Sequence, residues 1–310
     1  MSAATAIHEL SVPADDDASL LSPEIAGRLG RLSIIARKHA SARQRGRRRT
    51  RRVGGGTETI DLRPYEAGDD TRRIAWHAYA RLERLLVRLV ADEAPLRLTL
   101  VVDQSASMSY GRPTKVRHAA RIAAGFAAVA LGGEDRVALA VGSGGQAQAH
   151  RPVSGRGGLP RLLAMLDRLA AVGSTDLPAT VRTVLDAAPG RGVCVIISDL
   201  FEPQGVLAGA SEARRRGHEV AIVEVLAPFE VDPPDLSGFE LEDEETGEIV
   251  ELPERGARER FQEALALHRR NVDDGARSLE AAVVRTTTDE PFESIVTRAL
   301  GAGLLGRGAR

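Results

Sequence analysis

Two near-continuous apolar runs, each ending in a carboxylate, most constrain the fold: LRLTLVVD over 96–103 and GVCVIISD over 192–199. Such runs are too short for buried helices and lack the polar alternation of half-exposed strands. They predict strands covered on both faces. Further strands are predicted at 136–143 (RVALAVGS), 146–154, 218–226 (HEVAIVEVL) and 281–287. Helical patterns over 115–132, 158–171, 177–188, 204–216, 254–277 and 292–301 separate the strands. Strands alternating with helices imply an α/β, doubly wound and mostly parallel sheet. LSGFELEDEETGEIVEL reads as a hairpin insertion at about 236–252, with Thr246-Gly247 near its turn.

Residues 1–22 are small, polar and acidic and are expected to form a flexible tail, as are 302–310 at the other end. A helix is predicted after Ser22, with Pro23 in its first turn. This helix is grouped with residues 41–95 in an N-terminal region, 23–95, whose part from 41 to 95 is rich in arginine and holds short strands. Residues 96–301 form the main domain. The N-terminal region contains Trp76, the only tryptophan, and two of three tyrosines, Tyr65 and Tyr79. In a chain with 3% aromatic residues this clustering suggests a local packed unit. Arg63, Arg72, Arg73 and Arg81 interleave with Glu66, Asp69 and Asp70, as Arg–carboxylate pairs would require. An unpaired arginine surface is the competing reading.

Seven arginines fall between Arg43 and Arg52. A phosphate-binding arm is one reading. The run has no interleaved aromatics for base stacking, and the formal net charge of the chain is -1, so a loop or protein contact is preferred over nucleic acid. Cys194 is the single cysteine, which excludes an internal disulfide and a cysteine-based zinc cluster. It sits mid-strand, as a buried inert thiol does. Lys38 and Lys115 are the only lysines, read as composition bias with no mechanism attached. No 18-residue apolar run and no secretory leader pattern occur, so a cytoplasmic protein without a membrane span is expected.

The candidate chemistry lies where strands end. Asp103-Gln104-Ser105-Ala106-Ser107 puts a carboxylate and two hydroxyls on one turning loop. These are hard oxygen donors suited to Mg²⁺ or Mn²⁺. Asp199 ends a second strand, and Thr175 lies on a loop entering a helix. In open α/β sheets ligands bind beyond the carboxyl ends of the strands, so the three loops are expected to share one rim. Each residue also has a plainer role: Ser105 and Ser107 as turn residues, Thr175 or Asp176 as a helix cap, Asp199 as a strand-end turn.

Asp103-x-Ser105-x-Ser107, then Thr175, then Asp199 resembles the metal-ion-dependent adhesion site of von Willebrand factor type A domains. RPYEAGDDTRRIAWHAYAR (63–81), SMSYG (107–111), GFELEDEETGE (238–248) and RTTTDEPFESIV (285–296) narrow the likeness to the bacterial family called domain of unknown function 58. Ala75 and Tyr79 depart from that family's usual phrase. The resemblance implies one Mg²⁺ or Mn²⁺ held closest by Asp103, Ser105 and Ser107, with Thr175 and Asp199 acting directly or through water. It implies a non-enzymatic adaptor or co-chaperone that binds a protein carboxylate through the metal and works with a MoxR-type AAA+ ATPase. Arg63, Tyr65, Asp69, Arg72, Trp76 and Arg81 are expected either to stabilise the arginine-rich region or to touch a partner. A metal-dependent hydrolase or phosphatase on the same Asp/Ser site, or nucleic-acid binding through the Arg43–Arg52 run, is the alternative. Against the hydrolase, no companion base or phosphate loop accompanies the motif.

Overall fold

The computed structural model describes residues 19–29, 59–66, 69, 71–90, 96–133, 135–143, 146–234, 240–242, 249–251 and 256–301. The run Arg43–Arg52, Thr246-Gly247 and the segments 1–18 and 302–310 lie outside the described residues. The chain divides into two compact units, one of Met1–Ala40 with Leu96–Arg310, the other of Ser41–Pro95.

The larger unit is built on a sheet whose strands are β3 (Arg97–Asp103), β4 (Arg136–Ser143), β5 (Gln146–Ala149), β6 (Val153–Ser154), β7 (Val193–Ser198), β8 (Glu219–Leu226) and β11 (Ala282–Thr287). Their order is β11-β8-β7-β3-β4-β5, with β6 also on β4. All neighbours run parallel except β5 and β6, which pair antiparallel with β4. The single strand expected over 146–154 is thus two, separated at Arg151-Pro152; proline has no N–H to give the ladder. β9 (Glu240–Glu242) and β10 (Ile249–Glu251) pair antiparallel within the segment read as a hairpin.

Side-chain alternation along the central strands divides the core in two. Leu98, Leu100 and Val102 of β3 join one cluster with helices α3 (Lys115–Gly132), α4 (Leu159–Leu166) and α9 (Phe292–Gly301). Val101 joins the other, with α5 (Leu177–Ala187), α6 (Pro203–Arg215) and α8 (Ala257–Ser278). Helices therefore cover both faces, as the apolar strand runs require. Gly125 of α3 lets two elements approach: an added Cβ would lie 2.8 Å from Val296 Cγ2 and 3.5 Å from Leu29 Cδ1.

Two boundaries differ from the sequence reading. Leu20 and Leu21 are buried in the first core cluster, so the described end of the expected tail is packed. The first helix, α1 (23–29), delivers Leu29 to the same cluster and belongs with the larger unit, not with the arginine-rich one. The reason is ordinary: Leu20, Leu21 and Leu29 supply apolar area to an existing core, which outweighs the polar composition of the segment around them.

The smaller unit contains an antiparallel pair, β1 (Thr59–Pro64) and β2 (Leu86–Val90), and a short helix, α2 (Trp76–Leu82). Ile74 bridges to Val87, and both are buried. The aromatic cluster is not a core. Trp76 is 58% exposed, with Tyr79 edge-on at 6.3 Å between ring centroids. α2 is two turns long and has no buried residue, so its rings have nothing to pack beneath.

Candidate metal site

Strand order creates the site. β3 connects through α3 to β4 on one side, whereas β7 connects to β8 on the other, and β3 and β7 are neighbours. The crevice at their carboxyl ends is a topological switch point, where departing loops diverge and leave room for a ligand. Asp103 ends β3 and Asp199 directly follows β7.

Asp103 is buried and doubly held. Its Oδ1 accepts the Ser105 N–H at 2.9 Å and its Oδ2 accepts the Ser198 hydroxyl at 2.7 Å. The first bond bends the chain into a short 3₁₀ turn, Ala106–Ser109. That turn brings Ser105 Oγ and Ser107 Oγ to 3.1 Å of each other.

The loop before α5 is stitched to this turn. Ala106 N–H donates to Gly173 O at 2.7 Å, Val172 N–H to Gln104 O at 2.8 Å, and Gln104 Nε2 to Ala170 O at 2.8 Å. Thr175 is thereby carried to the end of β4, where its hydroxyl donates to Gly142 O at 3.1 Å. Its proton is committed to that carbonyl, so its lone pairs remain to receive a cation. Asp176 caps α5 by accepting the Ala179 N–H at 2.8 Å, which leaves Thr175 free of that duty.

Asp199 is held differently. Its Oδ2 accepts from Lys115 Nζ at 2.8 Å and its Oδ1 from the Phe201 N–H at 3.3 Å. Leu200 between them has φ 63°, a left-handed conformation costly for leucine, and its N–H is taken by Ser198 Oγ at 3.1 Å. Strain of this kind persists where surrounding contacts over-determine the backbone, here the turn that aims Asp199.

Lys115 is the residue that sequence reading missed. It is 0% exposed, donates also to Glu230 Oε1 at 2.7 Å, and stands 4.5 Å from the centroid of the Phe201 ring. Burial pushes the Glu230 carboxyl above its ordinary range, while Lys115 and the Ala227 N–H pull the other way. A signal for this lysine was available. Of 42 basic residues only two are lysine, so Lys115 stands out from the composition, and its buried seat between two carboxylates suits a compact ammonium rather than a planar guanidinium.

Among the described residues no three His, Cys, Asp or Glu side chains gather as a metal cluster. The candidate donors at the rim, Asp103, Ser105, Ser107, Thr175 and Asp199, are carboxylate and hydroxyl oxygens, a set suited to a hard cation.

The remaining candidates lie elsewhere. Arg63 and Asp69 form an ion pair at 2.5 Å, and Asp69 Oδ2 accepts the Glu66 N–H at 2.9 Å, so this pair holds its own turn in the smaller unit. The Arg63 guanidinium keeps the Asp69 carboxyl below its usual range. Tyr65 is half-buried, whereas Arg72, Trp76 and Arg81 are exposed. His118 is buried on α3, where Arg121, Asp289 and Glu290 are its charged neighbours. Cys194 is buried in β7, its thiol pushed up to about 12 by desolvation.

No helix among the described residues is long and apolar enough to cross a membrane. The uncharacterized protein Rv1480 of Mycobacterium tuberculosis is 32% identical over 256 residues, which span 79% of each chain. An uncharacterized Mycobacterium avium protein, MAV169, is 34% identical over 144 residues, 45% of this chain and 83% of that one. Among solved structures, an aerotolerance-related membrane protein from Bacteroides fragilis covers 67% of this chain and 98% of its own, at 18% identity and TM-score 0.46. The von Willebrand factor domain of the pilus tip protein Mfa5 from Porphyromonas gingivalis covers 71% and 99%, at 11% identity and TM-score 0.43. The fold of the larger unit is α/β, with a mostly parallel sheet between two helical layers. Residues 61–271, more than half of the chain, match the family described as "Protein of unknown function DUF58", and the chain belongs to that family.

Proposed function

We propose that this protein holds one Mg²⁺ or Mn²⁺ ion on Asp103, Ser105 and Ser107, with Thr175 and Asp199 engaging directly or through water, and that the ion takes a carboxylate from a partner protein. The gathering of the two serine hydroxyls on the turn that Asp103 holds carries the reading. The charge balance agrees with it. Asp103 and Asp199 are the only carboxylates in the donor set, and Asp199 already faces an ammonium. A dication there keeps positive character, and Mg²⁺ retains exchangeable positions beyond one or two protein carboxylates.

Binding is favoured over catalysis. The hydroxyls of Ser105 and Ser107 hydrogen-bond each other, and among the described residues no histidine is bonded to either. An adjacent general base is the usual activator of a serine nucleophile, and no histidine stands in that position here. The family resemblance supplies the partner class, a MoxR-type AAA+ ATPase, with this chain as adaptor or co-chaperone. A pull-down of such an ATPase on the immobilised protein tests this. Capture in Mg²⁺ that is lost with EDTA, and lost with Asp103→Ala, is expected. Capture that survives both would contradict the metal-bridged mode.

A further inference from the structure

Lys115 occupies the first position of α3, with Thr114 as N-cap. That is an unfavourable place for a buried cation, because the helix dipole already puts positive charge there. Burial of an ammonium is tolerated only when paired and hydrogen-bonded. Two carboxylates do this, Asp199 at 2.8 Å and Glu230 at 2.7 Å. Phe201, 52% exposed, lays its ring beside the ammonium at the protein surface.

The arrangement has a cost for the metal. Both Asp199 oxygens are engaged, Oδ2 by Lys115 and Oδ1 by the Phe201 N–H. An ion that recruits Asp199 must displace an ammonium from it. Glu230 gives that ammonium a second seat, and its own Oε2 is fixed by the Ala227 N–H at 2.7 Å. Glu230 lies in the short helix α7 (Pro228–Val231), which comes after β8. The competition thus links α3, the Asp199 turn and α7.

We propose that Lys115 is a built-in competitor of the metal ion at Asp199, holding this carboxylate out of the ion's inner sphere so that the ion stays weakly held and open to a partner's carboxylate. The inference rests on the metal reading above. It makes Lys115 a positioning residue that sets affinity without touching the ion.

Calorimetric titration of Mg²⁺ into wild type, Lys115→Met, Lys115→Met/Glu230→Gln and Lys115→Met/Ser105→Ala tests it, with circular dichroism melting to verify folding. The Glu230→Gln partner removes one of the two carboxylates that Lys115→Met would strand and leaves Asp199 for the ion, so the double variant keeps the test open if the single one fails to fold. Removing a unit positive charge beside the ion is expected to tighten binding by about tenfold or more. That gain is expected to vanish with Ser105→Ala. Binding equal to or weaker than wild type, or a gain that survives Ser105→Ala, would overturn the competitor role while leaving wild-type metal binding as it stands. Absence of binding in all four proteins would overturn the metal reading and this inference together.

Discussion

Ser198 Oγ donates to Asp103 Oδ2 at 2.7 Å, tying the end of β7 to the carboxylate that ends β3. Both residues are buried, and the same hydroxyl oxygen accepts the Leu200 N–H. Ser198→Ala leaves a buried carboxylate oxygen and a buried N–H without their partner. The expected loss is about 1–3 kcal/mol of stability, read from urea unfolding. Asp103 is then held only by the Ser105 N–H, so Mg²⁺ affinity is expected to fall although no donor has been removed.

Gly142 sets the position of Thr175. An added Cβ would lie 2.6 Å from Thr175 Cγ2 and 2.5 Å from Thr180 Oγ1, distances that force one of them to move. Gly142→Ala is expected to push the Thr175 loop from the rim and destabilise the fold by about 1–3 kcal/mol. Metal affinity should drop more than in Thr175→Ala, which removes one hydroxyl and leaves the loop in place. Parallel titrations of the two variants check this order.

His118 gives the fold an acid sensitivity of its own. Desolvation lowers its pKa from 6.5 to about 4, with Arg121 adding to the effect and Glu290 and Asp289 opposing it. Between those values the unfolded chain takes up a proton that the folded protein refuses, so stability falls as pH falls through the window. Above pH 6.5 this group contributes no slope. The full effect is about 3 kcal/mol. His118→Leu removes it, so the variant is expected to gain on wild type by that amount between neutral pH and pH 4. Urea midpoints of both proteins across that range measure the difference.

The sheet and the rim were legible because short-range patterns encode them. Apolar runs such as 96–103 and 192–199 need cover on both faces, and the carboxylate after each run falls where a parallel sheet opens. The Asp-x-Ser-x-Ser loop was legible for the same reason, since its geometry is made by neighbours in the chain. What stayed hidden is held by long-range pairs. Lys115 meets Asp199 across 84 residues and Glu230 across 115, and Ser198 meets Asp103 across 95. No local pattern reports such partners. Leu20 and Leu21 were read as tail because small polar neighbours masked them, and the helix that carries Leu29 was grouped with the segment next to it in sequence, since no local pattern tells which core an amphipathic helix joins. Trp76 misled in the other direction: aromatic density implied a core, whereas α2 offers no buried face to receive the ring.

A divalent ion on the hydroxyl pair beside Asp103 underlies the whole functional reading. Calorimetric titration of Mg²⁺ and Mn²⁺ into wild type and into Ser105→Ala/Ser107→Ala is its decisive test. Saturable one-to-one binding is expected in the wild type, disappearing in the double variant while the fold persists by circular dichroism. Binding of equal strength in both proteins would place the ion elsewhere and contradict the assignment.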